Sequence, residues 1–366
     1  MHDNFHYIPI LLTRRGERSA LKDLRSSVKK RMTPLFTVHP RDWDFEGEQW
    51  KKTVRQHVEP LAKHLADCWP GGYAFVDLEH LDDGLDGPVV GDSLAGLVNE
   101  AAHHGTVLIP VVAPDRCPEY LAAAGALHKE HANGVCVRLK PFAWPSLPGA
   151  ATSLYELLDQ IEVDPTQVDL VLDLGDQMGS ELAQSAVFGE LLALPDAEKW
   201  RSLTLAGGSF PKDLAGMEKD TLHRVPRVDW QLYCRVDDQA SQAHARRPAF
   251  GDYGVAHPDP FLMVDPKILN ISGQLRYTVE DAWLVAKGGL FKRIGGEAVV
   301  PPARLVVKSD EFCGPDFSLG DKWIAQVARE DVGGSNPEHW RRVATDHHLT
   351  YVTGQLASRY GTSNES

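Results

Sequence analysis

Eight short apolar, β-branched runs, separated by longer amphipathic segments, constrain this chain more than any other feature of it. They occupy residues 7–13, 33–40, 73–80, 106–113, 134–140, 168–174, 203–207 and 248–253, and seven of them are followed by a segment that reads as a crossover helix. Strands interleaved with helices argue for a parallel sheet. Several runs are apolar on both faces, as expected where helices cover the outside and side chains pack the interior. A doubly wound open sheet is the competitor, but no GxGxxG follows the first run. The count of eight fits a closed barrel, which uses roughly 250 residues as one unit. The fold expected is therefore α/β, a (β/α)8 TIM-like barrel over residues 1–262.

After residue 262 the pattern changes. Residues 275–278 and 283–286 read as two strands around a turn at 279–282, a hairpin rather than a strand–helix–strand unit. Leu305-Val306-Val307 reads as a short strand, and residues 321–329 and 337–344 as helical; 347–353 fits either a strand or a helix. The polar tail 361–366 is expected to be loose. No low-complexity linker precedes this α+β extension (263–366), so it is expected to pack on the barrel. Earlier in the chain, residues 48–67 read as a helix, with Trp43 and Trp50 as helix-packing residues rather than stacking platforms.

Composition excludes several classes. Lys and Arg number 38 against 51 Asp and Glu, a formal charge of -13 that repels phosphate backbones and argues against a broad nucleic-acid surface. The five cysteines (Cys68, Cys117, Cys136, Cys234, Cys313) are scattered and form no CxxC or Cys/His cluster, so neither a structural zinc site nor a disulfide framework is indicated. Reduced, mostly buried thiols are expected. With no signal-peptide pattern at the start and no run of ~18 to 20 apolar residues, a cytoplasmic protein without membrane contact is the expectation.

In a barrel of this kind, side chains at the C-terminal ends of the strands converge on one mouth. Strand 1 ends at Thr13, with Arg14 and Glu17 just beyond, and strand 2 supplies His39. Asp77 and Glu79 on strand 3 are two apart and share a face, as do Arg138 and Lys140 on strand 5. Strand 6 adds Asp173, with Asp176 in its loop, and strand 8 ends at Asp252 and Tyr253. Buried charges are costly unless paired, so acidic strands 3 and 6 with basic strand 5 predict an ionic cluster at the mouth, either a functional site or structural ion pairs sealing the barrel. Gly207-Gly208-Ser209 after strand 7 and Gly251 to Gly254 at strand 8 stand where barrels often hold phosphate, with Lys212 and Tyr253 able to add donors; the plain alternative is that the glycines close tight turns. Asp77, Glu79, His80 and Asp173 are generic oxygen and nitrogen ligands for a divalent cation such as Mg²⁺ or Ca²⁺, the only cofactor the sequence suggests. The neighbouring pairs His103-His104 and His347-His348 diverge on any regular backbone, so neither is a ready chelate.

The ordered words of the chain resemble a known family. They run Tyr7-Ile8-Pro9-Ile10-Leu11, Arg15-Gly16-Glu17, Ala20-Leu21 and Thr33-Pro34-Leu35-Phe36 at the start. Asp173-Leu174-Gly175, Gly207-Gly208-Ser209-Phe210-Pro211 and Gly251-Asp252-Tyr253 follow in the middle. Arg276-Tyr277-Thr278, Trp283 through Gly288, and Trp340 through His347-His348-Leu349-Thr350 close the set. In order and spacing they are similar to the beta family, named after a bacteriophage beta protein, across nearly the whole chain. The resemblance implies a barrel-like protein of phages, mobile elements and bacterial neighbourhoods that look defensive. It supplies no catalytic residue.

Two functional readings follow. In the first, the protein is a binding or regulatory component of a phage-conflict system, and the barrel mouth or the C-terminal hairpin docks a partner protein; an apolar patch over residues 275–290 is the feature that would mark the hairpin version. In the second, it is an enzyme, hydrolase or phosphodiesterase-like, acting on a phosphate-bearing small molecule or nucleic-acid end. Gly207, Gly208 and Ser209 would then seat phosphate and Arg138 and Lys140 would neutralise charge. Asp77, Glu79, Asp173 or Asp252 would serve as acid/base groups or metal ligands. Fold alone does not choose between them.

Overall fold

A computed structural model describes residues 6–81, 87–140, 147–260 and 270–361. The eight apolar runs form eight strands, Tyr7–Leu12, Leu35–Thr37, Tyr73–Asp77, Val107–Val112, Val135–Leu139, Val168–Asp173, Ser202–Gly207 and Ala249–Asp252. They are numbered 1 to 8 here in that order. Each pairs in parallel with its sequence neighbours, and strand 8 returns to strand 1 with Tyr7 opposite Phe250 and Pro9 opposite Asp252, so the sheet closes. The competing open sheet is thereby excluded. The interior is filled by alternate residues, among them Ile8, Ile10, Phe75, Ile109, Val111, Cys136 and Val171. The other set, such as Tyr7, Leu11, Phe36, Val76, Val137, Leu172 and Phe250, packs under the surrounding helices. The two-residue period of a strand thus divides each run between two apolar environments, which is why the runs read as apolar throughout.

Some of the helices start where a side chain supplies a cap. Ser180 accepts from the Ala183 N–H ahead of Glu181–Leu192, and Asn336 accepts from His339 ahead of the long final helix, Pro337–Arg359, whose first residue is the proline favoured there. That helix settles the ambiguity at 347–353 in favour of helix. Leu305-Val306-Val307 is also helical, the end of Val300–Val307; Pro301 and Pro302 sit in the first turn, where a missing N–H costs nothing. The helix expected over 48–67 is corrected more sharply. Trp43–Asp44 and Gln49–Trp50 form a small antiparallel hairpin turned by Gly47 and by Glu48 at φ 47°, and helix begins only at Val54. Trp43 and Trp50 pack edge to face on it at 5.0 Å instead of against a helix.

The C-terminal hairpin exists, as Ser272–Thr278 against Ala282–Leu290, and it gains a third strand, Leu222–Pro226, from the connection between barrel strands 7 and 8. Its apolar side chains are covered. Leu275, Tyr277, Trp283, Leu284 and Val285 are all buried, packed on Val299, Ala303, Ile324, Trp340 and Val343 of the following helices or on Phe210. The boundary read at residue 262 and the loose tail at 362–366 fall outside the described residues. Of the five thiols Cys68 and Cys136 are buried, Cys117 and Cys234 half-buried and Cys313 exposed; all five are free. Among the described residues no helix is long and apolar enough to cross a membrane.

Candidate functional site

Strands 3, 5 and 6 bring their inward-facing charges together at the C-terminal mouth, as the two-residue spacing predicts. Arg138 lies at the centre, essentially inaccessible to solvent. Its Nε donates to Asp173 Oδ2 at 2.8 Å, Nη1 to Asp77 Oδ2 at 2.8 Å and Glu79 Oε1 at 2.9 Å, and Nη2 to the Tyr253 hydroxyl at 2.7 Å. Tyr253 in turn donates to Asp173 Oδ2 at 2.6 Å. Lys140 pairs with Glu79 from the rim. Arg116, from the loop after strand 4, adds a contact to Asp77 Oδ1 at 2.9 Å and one to Glu79 Oε2 at 3.9 Å. Three cations (Arg116, Arg138, Lys140) therefore face three carboxylates (Asp77, Glu79, Asp173) in a closed set.

The ionisation of these groups follows from that closure. Burial alone would raise the Glu79 carboxyl, but Arg138, Lys140, His80 and Arg116 hold it well below the usual carboxylate range. Burial would likewise lower Arg138, yet Glu79, Tyr253, Asp173 and Asp77 keep it well above its ordinary value. Burial pushes the Tyr253 phenol well up, against the pull of Arg138. These shifts favour a charged Glu79 and Arg138 and a neutral Tyr253. Asp77 and Asp173 also brace the backbone, since Oδ1 of each accepts the N–H two residues on, from Glu79 at 3.0 Å and Gly175 at 2.9 Å.

Asp252 does not join them. Adjacent strand residues point to opposite faces, so with Tyr253 inside, Asp252 turns outward toward the final helix. There it accepts from the Tyr7 hydroxyl at 2.5 Å, pairs with His348 Nε2 at 2.9 Å and caps its own turn at Gly254 N, also 2.9 Å. His348 Nδ1 meets the Thr278 hydroxyl at 2.7 Å, while the adjacent His347 diverges to Asp321 and the Thr278 carbonyl. This buried chain ties barrel, hairpin and final helix together, which places Asp252 in a structural lock and not in the mouth. His39 also stands apart. It meets Thr13 Oγ1 at 2.8 Å with His57 edge-on at 4.6 Å, and burial followed by the proximity of His57 lowers its imidazole to about 3.

The groups expected to cradle phosphate are occupied within the protein. Gly208 N–H donates to Gly175 O at 2.8 Å, Ser209 Oγ donates to Asp229 at 2.9 Å, and Lys212 pairs with Asp259 at 2.6 Å on the surface. Gly207 is needed for packing, since a Cβ there would lie 2.5 Å from Met178 Cγ. Among the described residues no three His, Cys, Asp or Glu side chains are arranged to hold a metal ion. The lone pairs of Asp77, Glu79 and Asp173 that a divalent cation would use face guanidinium and ammonium groups instead.

Above the ionic floor lies a pocket bordered by Glu17, Glu79, His80, Tyr253, His257 and Arg341. Arg341 comes from the final helix and was not visible in a strand-end reading. Neither was Arg116, which sits in a loop without periodicity. The Trp43/Trp50 hairpin rises from the loop after strand 2 on this same face, with the Arg41 guanidinium 4.7 Å from the Trp50 ring centre and Phe45 and Trp50 more than a third exposed. Its signal in the sequence was the alternation around Gly47, which favours a turn over a helix.

Comparison with known proteins bears on the family. No curated protein matches the chain. Among solved structures it is similar to a GH51 arabinofuranosidase from Xanthomonas axonopodis pv. citri at 12% identity and a TM-score of 0.27, over 60% of this chain and 45% of that one. The Beta protein family profile matches residues 7–354, nearly end to end. The chain belongs to the Beta protein family.

Proposed function

We propose that this protein is a binding or regulatory component of a phage-related or anti-phage system, and that it engages its target at the C-terminal mouth of the barrel. One observation carries the reading: every nitrogen of Arg138 is committed to a buried, charge-balanced set of partners. A general acid or base must change protonation during turnover, and the buried Arg138 at the centre of this cluster has no spare donor for an incoming anion. The cluster serves as the floor of a binding mouth. The hairpin is the poorer docking element, because its apolar residues are already covered. The partly exposed aromatic hairpin at Trp43 and Trp50 supports recognition at the rim, where one apolar face and one polar edge suit a partner surface. The phage setting is the one the family resemblance suggests.

Plating a phage panel on cells that express the chain tests this. A change of about tenfold or more in plating efficiency is expected for at least one phage. The change should persist in Lys140→Gln, which strips the most exposed charge from the floor, and weaken in Trp50→Ala at the rim. Loss of the effect in Lys140→Gln with the fold intact would transfer the function to chemistry at the cluster, and with it the phosphate-processing alternative.

A further inference from the structure

We infer that the helix pair Arg15–Asp23 and Ser26–Lys29, on the flank of the barrel between strands 1 and 2, binds the phosphate backbone of single-stranded nucleic acid. The inference goes beyond the mouth reading and does not depend on it. Residues 14–31 hold eight of the 38 Lys and Arg of the chain but only two of its 51 Asp and Glu. Both of those acids are turned toward the final helix: Asp23 pairs with Arg342 at 2.5 Å, and Glu17 lies 3.8 Å from Arg341. Arg15 pairs with Glu338 of the same helix. Among the described residues, Arg14, Arg18, Lys22, Arg25, Lys29 and Lys30 are left with no carboxylate partner. The hydrogen bonds they make go to main-chain carbonyls, from Arg18 Nε to Thr13 at 3.2 Å, Arg25 Nη2 to Asp316 at 2.6 Å and Lys29 Nζ to Lys22 at 3.1 Å. A carbonyl orients such a cation without neutralising it. A chain of formal charge -13 thus gathers uncompensated positive charge on one narrow flank, which turns a polyanion toward that flank alone.

The cations form a stripe. Arg14, Arg18 and Lys22 are four apart, so they follow one helix face at intervals of roughly 6 Å. The bond from Lys29 to the Lys22 carbonyl folds the second helix back beside the end of the first and carries the stripe on to Lys30. That end has an aromatic ring in the open. Lys30 stands just ahead of strand 2, and Tyr73 opens strand 3, which pairs in parallel with strand 2, so both lie at the N-terminal end of the barrel. Trp69 connects them, with its ring centre 6.0 Å from Lys29 Nζ and its Nε1 donating to Tyr73 O at 2.9 Å. The Tyr73 side chain is 57% exposed. Cations that track a phosphate backbone beside an open ring on which a base can stack are the two parts of a single-strand site. A membrane surface fits less well, because none of the exposed large apolar side chains lies within residues 14–31 to anchor in lipid. An acidic protein would match the charge and leave the ring without a flat partner.

Fluorescence anisotropy of the full chain with a labelled oligothymidylate of about twelve nucleotides tests the inference. With about five phosphates neutralised, binding should weaken about a hundredfold between roughly 50 and 200 mM salt. The combined variant Arg14→Gln, Lys22→Gln and Lys30→Gln changes exposed side chains that hold nothing in the fold, and its melting temperature should match the parent's. It should bind about tenfold or more weakly at the lower salt and lose less than about tenfold over the same interval. Tyr73→Ser should weaken binding about fivefold and leave the salt dependence unchanged, as the loss of a stacking contact does. Lys129→Gln with Lys199→Gln, exposed lysines elsewhere that pair with Glu162 and Asp196, should bind as the parent does. No binding at the lower salt, or an affinity unchanged in the combined variant, overturns the inference. So does polyglutamate or a phosphatidylserine vesicle that competes as well as unlabelled oligothymidylate, or a duplex of equal length that binds as tightly.

Discussion

Replacing Arg138 by methionine removes the only cation that touches all three carboxylates of the floor. Asp77, Glu79 and Asp173 would then share Arg116 and Lys140, three negative charges against two positive ones, at side chains no more than 8% exposed. Taking one partner out of a buried ion pair costs roughly 3 to 5 kcal/mol, because the orphaned charge stays desolvated. Against a total stability of about 5 to 15 kcal/mol this is a large fraction, and it corresponds to a fall in Tm on the order of 10 °C. The pH dependence follows from Glu79. Its carboxyl is held below the ordinary value in the folded protein, so the stability it contributes is present above the unfolded value near ~4.3 and is lost as pH falls through the folded one. In Arg138→Met the Glu79 carboxyl loses the charge that lowers it most and takes up a proton more readily, so the deficit should be full at neutral pH and shrink toward pH ~4. Adding Asp173→Asn to the same chain removes one unpaired charge and should recover about 1 to 2 kcal/mol. Thermal melts of the parent, both single variants and the double variant across that pH range measure all of this. A fall of less than about 2 °C at neutral pH, or a deficit that does not change with pH, would refute the claim that the floor is held together by charge.

Three further outcomes are expected. Burial raises the Glu17 carboxyl, so ionising it opposes folding and that contribution is lost as pH rises through the folded value; Glu17→Gln should therefore stabilise by about 1 kcal/mol above pH ~7 and make no difference near pH ~4, read by thermal melts. Asp252→Ala cuts the chain from Tyr7 to His348, and should cost about 3 kcal/mol and speed amide exchange within the final helix relative to the barrel strands, as mass-resolved hydrogen exchange would show. Gly288→Ala should destabilise by several kcal/mol or prevent folding, because a Cβ there would lie 1.9 Å from the Ala298 carbonyl oxygen, whereas Gly354→Ala, with open space around it in the final helix, should gain about 0.5 to 1 kcal/mol in chemical denaturation.

The barrel was legible because its strands are buried on both sides. A run such as Val107–Val112 leaves no polar gap between two apolar environments, and such runs stand out without any alignment. The ionic floor was legible for a related reason, since Asp77 and Glu79, or Arg138 and Lys140, can share a face only at a spacing of two. The same rule exposes the error at strand 8, where Asp252 and Tyr253 were both assigned to the mouth although neighbours on a strand cannot face one way. What stayed hidden depends on packing between distant segments. Nothing near Arg116 or Arg341 announces that a loop and a helix will carry them to the mouth, and the fate of His348 was decided by Tyr7, 341 residues away. Local ambiguity explains the remaining misses. Leu305-Val306-Val307 has strand composition, and the two prolines ahead of it tipped the segment into a helix.

The borrowing of Leu222–Pro226 by the C-terminal hairpin has a consequence for synthesis on the ribosome. That edge emerges with the last part of the barrel, yet the strand it must pair with arrives about sixty residues later, roughly 3 to 12 s at ordinary elongation rates. During that interval its backbone donors and acceptors have no partner, which is the state in which nascent chains invite chaperones or stray neighbours. Slowing translation across the intervening codons should therefore lower the soluble yield of this protein more than slowing it anywhere within the first six strands.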